Sequence, residues 1–345
     1  KAAEQGHADA QHNLGIMYRQ GRGVGQSDAT AVKWYRKAAE QGYADAQCNL
    51  GFMYEKGKGV DQSDVIASQL YQKAADQGHA TAQFNLGVFY QYGKGITLAN
   101  MIPRLNKSDI TAVKWYQKAA EQGHAKAQFN LGVMYANDRG GLPKSDAEAM
   151  KWRLKAAKQG HEMAMEWLHN AAGQGSKDLQ YILGVMYATG RSVPQNDADA
   201  MKWLEKAEKQ GDGRAKLYRK AVYDTDAIAQ YVLGNNYREG MNGFPQSSAL
   251  AMKWYSKAAD QGYAQAQCGL GIMYEHGRGG LPQSDALAVE WYRKAADQRH
   301  APAQFSLGQM YAQGKGRLPR SDVFASKLYH KAADQGLAQA QSILG

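Results

Sequence analysis

Cysteine is nearly absent from this chain, with two residues in 345. That excludes a disulfide framework, which needs cysteines at high density. Proline is scarce too, at seven residues, so little interrupts a helix from within. Valine and isoleucine are few and scattered, which leaves strands little to form from. No run of about 18 apolar residues occurs, so no hydrophobic helix long enough to span a bilayer is expected. The first residue is Lys1 rather than Met. Lys1-Ala-Ala-Glu-Gln-Gly6 reads as the tail of a repeat, and Leu344-Gly345 stops inside a motif. Both ends are therefore expected to be cut mid-repeat. A leader would not be visible, and the compartment stays open between cytoplasm and periplasm.

What the chain does have is Ala, Gln, Lys and Glu, residues that lose little rotamer freedom in a helix. It also has 38 glycines, an excess that in a helical protein must fall at helix ends. The formal net charge is +10, which keeps a surface solvated and attracts anionic surfaces.

The organisation is repetitive. Leu-Gly recurs at Leu14-Gly15, Leu50-Gly51, Leu86-Gly87, Leu131-Gly132, Leu183-Gly184, Leu233-Gly234, Leu270-Gly271, Leu307-Gly308 and Leu344-Gly345. Around each anchor the same text returns: a first helix (helix A), a glycine-rich loop and a second helix (helix B). In helix A, Ala10, Leu14, Met17 and Tyr18 share a face; in helix B, Ala31, Trp34, Tyr35 and Ala38 do. Ser-Asp pairs such as Ser27-Asp28 open helix B, where one side chain caps the free N–H groups and the acidic charge suits the helix dipole. Gly42, Gly78, Gly123 and Gly160 are expected to stop helix B in a left-handed cap. Gly15 and its equivalents lie inside helix A, where glycine costs about 1 kcal/mol relative to Ala. A repeated cost needs a repeated reason, and Trp34 of helix B is the expected ring lying against it. Trp34, Trp115, Trp152, Trp203, Trp254 and Trp291 hold one phase, read as core. One hairpin cannot bury both its faces, so neighbours must stack.

Three motifs, Ala-Gln-x-x-Leu-Gly-x-x-Tyr, the Gly-x-Gly loop and Trp-Tyr-x-Lys-Ala-Ala-x-Gln-Gly, resemble the Sel-one-like repeat (SLR) family, relatives of the tetratricopeptide repeats. The resemblance covers nearly the whole chain. It implies an all-α, right-handed solenoid with a concave face, and a role as scaffold or adaptor in bacterial envelope, host-interaction or toxin-neutralising settings.

Regular repeats are expected over residues 7–160 and 232–345, with an irregular segment at 161–231. There Glu162–Gly175 and Arg214–Ala221 each read as a lone extra helix, and a change of curvature is expected around them. A further departure lengthens one loop, by Ile96–Lys107.

Candidate chemistry is thin. Gly21-Arg-Gly-Val-Gly25 lacks the strand before it that a dinucleotide loop requires. His161-Glu162 lacks the second histidine of a zinc-protease helix, since Met165 stands there. Neither a metal nor a cofactor site is expected, and no enzyme. Within the resembling family a cysteine-rich, secreted subset is linked to β-lactams, which keeps a β-lactam hydrolase as the alternative. This chain lacks the paired cysteines, and Ser68-Gln-Leu-Tyr71 lacks the lysine of Ser-x-x-Lys. Cys48 and Cys268 occupy one phase of distant repeats and are expected to be free thiols.

The expected activity is binding of another protein or peptide. Helix A carries a second apolar face: position 12 (His12, Cys48, Phe84, Phe129, Tyr181, Tyr231, Cys268, Phe305) is read as packing on the next repeat. Position 16 (Ile16, Phe52, Val88, Val133, Val185, Asn235, Ile272, Gln309) is read as the partner groove. Its flanks vary in charge at Arg19, Glu55, Gln91, Ala136, Arg238 and Glu275. A second candidate is the basic loop edge of Arg22, Lys58, Lys94, Arg278 and Lys315, suited to an anionic surface. These loops carry no interleaved aromatics, so nucleic acid is not the expected partner.

Overall fold

The structure is a computed structural model that describes residues 1–94 and 109–345. The lengthened loop Ile96–Lys107 lies outside the described residues. Among the described residues all regular structure is helical, in nineteen helices. The chain divides into two compact units, residues 1–175 with 189–195 and residues 176–188 with 196–345.

The first unit stacks four helix A–helix B pairs. These are α1 (Ala8–Gln20) on α2 (Asp28–Glu40), α3 (Ala44–Lys56) on α4 (Asp64–Asp76), α5 (Ala80–Tyr92) on α6 (Asp109–Glu121) and α7 (Ala125–Ala136) on α8 (Asp146–Ala157). A single helix, α9 (Glu162–Gly173), then packs on α8. The second unit opens with α10 (Lys177–Thr189) and α11 (Asp197–Lys209), followed by the single helix α12 (Gly213–Val222). Regular pairing resumes with α13 (Ala227–Glu239) on α14 (Ser248–Asp260), α15 (Ala264–Glu275) on α16 (Asp285–Asp297) and α17 (Ala301–Gln313) on α18 (Asp322–Ala333), then α19 (Ala338–Leu344).

Each element starts and stops where its residues dictate. Ser27 Oγ accepts from the N–H of Thr30 at 3.1 Å and Ser145 Oγ from that of Glu148 at 3.2 Å, so serine is the cap and the following Asp is the first helical residue. Helix A ends in the Gly-x-Gly loop. There Gly21, Gly57 and Gly93 have φ near +65° (69°, 62° and 67°). The N–H groups of Arg22, Lys58 and Lys94 fold back onto Met17, Met53 and Phe89 carbonyls at 2.9–3.0 Å. That closes a Schellman turn. The second loop glycine meets the preceding repeat: a Cβ at Gly59 would lie 2.4 Å from the backbone of Asp28.

The glycine inside helix A has the reason its position demands, but the partner is not the expected one. A Cβ at Gly15, Gly87 or Gly234 would lie 2.6–2.7 Å from the ring of Tyr35, Tyr116 or Tyr255, the residue after the tryptophan. Those tyrosines are fully buried. The tryptophan points one residue further round the helix. Trp34, Trp115 and Trp291 are only half-buried, beneath the ammonium groups of Lys37, Lys118 and Lys294 at 4.2–4.6 Å. Trp152, Trp203 and Trp254 are buried. The core reading thus holds for half of the tryptophan set, and tyrosine is the ring that needs the glycine.

A second repeated contact joins successive pairs. Gln47, on α3, donates to the Ala39 carbonyl at the end of α2 (3.2 Å) and accepts from Gln77, beyond the end of α4 (2.8 Å). Gln83, Gln128, Gln267 and Gln304 repeat both bonds at 2.7–3.2 Å. These glutamines are buried. A buried amide left unpaired costs about 1–3 kcal/mol. Gln128→Met should therefore lower stability by about 1–3 kcal/mol in denaturant unfolding, because Ala120 and Gln159 lose their partner. An unchanged midpoint would remove the glutamine from the account of repeat coupling.

Candidate functional site

The outward face of helix A is built from three registers. Position 12 is consumed by packing. Phe84 lies between Tyr116 (5.9 Å between centroids) and His124 (4.8 Å, stacked), Phe129 stacks on His161 (5.0 Å), and Tyr231 lies between Tyr255 and Tyr263 (5.7 and 5.4 Å). Cys48 and Cys268 occupy this register as free, buried thiols, and burial pushes both up to about 12. At that value they are inert at neutral pH.

Position 16 is different. Ile16, Phe52, Val88, Val133, Val185, Asn235 and Ile272 are half-buried and Gln309 is exposed. Ile16 and Phe52 rest on the core around Tyr35 and Leu50, Val88 on that around Tyr116, and Ile272 on that around Tyr292. Each unit therefore carries a row of apolar side chains with one flank packed and one flank open. Asn235 departs from the pattern, since its Oδ1 accepts from the Tyr255 hydroxyl at 2.6 Å.

The variable charges beside that row are partly committed. Glu55 accepts from the Tyr71 hydroxyl (2.8 Å), Gln91 from Tyr116 (2.5 Å) and Glu275 from Tyr292 (2.7 Å). Burial, chiefly, pushes these phenols far above their ordinary range, so they remain donors. Arg19 takes the same register beside Tyr35, whose hydroxyl has no hydrogen-bond partner among the described residues. Charge variation at this register is therefore set in part by what each tyrosine needs.

The basic loop residues Arg22, Lys58, Lys94, Arg278 and Lys315 are all exposed. Their backbone N–H groups are used by the turns described above. Arg139, close to the same phase, is held by Asp109 through two bonds of 2.9 and 3.0 Å. Among the described residues no group of three or more His, Cys, Asp or Glu is placed to hold a metal ion.

Three of the histidines that precede a helix are caps, whereas His7 before α1 and His300 before α17 make no side-chain cap bond. The Nδ1 atoms of His79, His124 and His161 accept from the N–H of Ala82, Ala127 and Ala164 at 3.1, 3.3 and 3.4 Å. His79 Nε2 also lies 2.9 Å from Asp45. Burial, then nearby Lys126, holds His124 and His161 below their ordinary value of 6.5.

One signal for the extra helices was present and unread. The helix B residue against the helix A glycine is Tyr in most repeats, but Arg153 in α8 and Leu204 in α11. Those are the two helices that α9 and α12 follow. The Tyr71 and Tyr116 hydroxyls also bond to the next helix A, at Asn85 and Asn130, whereas that of Tyr35 has no partner among the described residues and that of Tyr255 bonds to Asn235 of its own pair.

Comparison with known proteins agrees with the repeat boundaries. The Sel1 repeat matches at residues 8–43, 44–79, 80–124, 125–161, 162–176, 178–212, 227–263, 264–300 and 301–337. Among solved structures, a protective antigen present in uropathogenic Escherichia coli strains, with an SLR fold, is 30% identical, covering 99% of this chain and 79% of its own, at a TM-score of 0.43. A Sel1 repeat protein from Oxalobacter formigenes is 30% identical over 99% of this chain and 87% of its own, at a TM-score of 0.35. An immunity protein from Pseudomonas aeruginosa is 20% identical over 75% of this chain and 81% of its own, at a TM-score of 0.30. No curated protein matches the chain.

The caps His124 and His161 carry a pH dependence. Below 6.5 the unfolded chain takes up protons that the folded caps refuse. Stability is therefore full above that value and is lost as pH falls beneath it. The thermal midpoint should drop between about pH 7.5 and about pH 5.5, and should drop less in His124→Asp/His161→Asp, because aspartate stays an acceptor to about pH 4. Equal drops in both proteins would remove the caps as the cause.

Proposed function

The chain belongs to the Sel1 repeat family, and from that premise we propose that it is a non-catalytic scaffold holding a protein partner against the position-16 row of helix A. The observation that carries this reading is the half-open state of Ile16, Phe52, Val88 and Val133 in the first unit and of Val185 and Ile272 in the second. Apolar side chains firmly seated on one flank and open on the other form a preorganised surface. They lose little rotamer freedom when covered, which is where binding energy is otherwise spent. The thiols are buried, so they offer no nucleophile to a substrate. The finer role, as envelope adaptor, host-contact protein or toxin-neutralising partner, follows from the identity of what is bound.

Affinity capture by the full chain from its native source, followed by titration of the captured protein, tests the surface. Val133→Asp/Val185→Asp should weaken binding at least about tenfold, equivalent to about 1.4 kcal/mol, with helical content and thermal midpoint close to the parent. Lys58→Glu, on the loop edge, should leave it within about twofold. Unchanged affinity in the valine variant removes the row as the interface. Loss in the lysine variant alone moves the interface to the basic edge, and such binding would weaken steeply with salt.

A further inference from the structure

The second unit has an open cleft of about 630 Å³ beside α12, with Asn236 in its lining. Lys177, Asp178, Asp212 and Arg214 give that cleft charges of both signs, so it selects no single class of ligand. A more selective feature stands in the first unit, beside the position-16 row.

Arg153 of α8 takes the place that tyrosine holds in most pairs. Its stem rests on Gly132, where a Cβ would lie 2.8 Å from the Arg153 Cγ. A tyrosine hydroxyl in that place donates to position 19 of its own helix A, at Glu55, Gln91 or Glu275. Tyr71 and Tyr116 have a second polar partner on the following helix A, at Asn85 and Asn130. Around Arg153 both kinds of partner are gone. Position 19 of α7 is Ala136, and the register of Asn85 and Asn130 holds Trp167 in α9. A guanidinium offers five N–H donors and no acceptor, so the donors have multiplied where the acceptor has been lost.

The charge is left without a carboxylate. The Arg153 Nε is buried and has no hydrogen-bond partner. The guanidinium lies 5.4 Å from the centre of the Trp167 ring, over its face. Burial holds the group below its ordinary value, although Asp146 at the start of α8 attracts it through space. Among the described residues no ion pair joins it to Asp146 or to the exposed Glu166 beside Trp167.

Val133 of the row directly follows Gly132, and Val133, Ala136 and Trp167 are all half-buried. A protein that covers the row therefore takes water from Arg153 as well. A guanidinium covered without an anion is strongly unfavourable, so the cover must bring one. Trp167 occupies one face of the planar group, which leaves its edge for hydrogen bonds. A carboxylate matches that edge with two parallel bonds.

We propose that the position-16 row of the first unit receives an acidic segment of the protein partner, with an Asp or Glu carboxylate pairing with Arg153 beside Val133 and Trp167. The assignment rests on the protein-binding role above and names the chemistry of what is bound. The probe is a random linear heptapeptide library displayed on phage and panned on the full chain. Recovered peptides should carry Asp or Glu next to an apolar residue. They should bind Arg153→Tyr and Arg153→Met at least about tenfold more weakly, the worth of a hydrogen bond to a charged group. Lys58→Glu should bind them within about twofold, which separates Arg153 from the general positive charge. Arg153→Tyr restores the residue of the other pairs and should have a thermal midpoint at or above that of the parent. Arg153→Met keeps an apolar stem against Gly132 and should do the same. A lower midpoint in both variants makes the arginine a structural residue and overturns the assignment. So do peptides that bind both variants like the parent, and panning that returns no acidic sequence above background. Weaker attachment of the variants to phosphatidylglycerol vesicles, with peptide binding unchanged, gives Arg153 to a lipid surface instead. If Val133→Asp/Val185→Asp still weakens the captured partner, the scaffold reading stands without Arg153.

Discussion

A buried glutamine on each helix A ties three helices together, and the stacking of the chain depends on it. The last carbonyls of a helix have no partner within that helix. Ala39, near the end of α2, finds one in Gln47 of the following repeat, and Gln47 in turn accepts from Gln77 after α4. The bond is made across the joint between repeats, so one pair is completed by the next. A side chain buried for this purpose is costly when unpaired and neutral or better when both its ends are satisfied. The arrangement therefore favours one register between neighbours over all others.

Within each pair the corresponding constraint is steric. The helix A glycine lets a buried tyrosine ring lie against the helix backbone, and the tyrosine hydroxyl then reaches outward to a polar residue near the end of helix A. Two consequences follow. The flank of the outward face of helix A is not a free surface, since Glu55, Gln91 and Glu275 answer to Tyr71, Tyr116 and Tyr292. The pattern also changes at Arg153 and Leu204, and a single helix follows at each of those places.

Function is confined to what these internal bonds leave open. Position 12 is closed by stacking on the next repeat, and the loop N–H groups are closed by Schellman turns. What stays open is the position-16 row, the exposed loop cations and the cleft beside α12. The cleft lies where α12 interrupts the alternation.

The sequence alone determined the helix pairs, their caps and both extra helices. Those are local properties, carried by Ser27, Gly21, Gly42 and the spacing of apolar residues, and a helix is a local structure. The resemblance to the family, in which position 12 is normally aromatic, also marked it as an inter-repeat contact. Tertiary structure decided which of two adjacent aromatics faces the glycine. Trp34 and Tyr35 differ by about 100° around the helix, and periodicity cannot separate them when both are large and apolar. Only packing also revealed that Gln47 is buried and bonded twice, that the charges at position 19 serve tyrosines, and that Asn236 lies at a cleft. Each of those depends on a partner from another helix, and the identity of that partner is set by how helices meet rather than by any one segment.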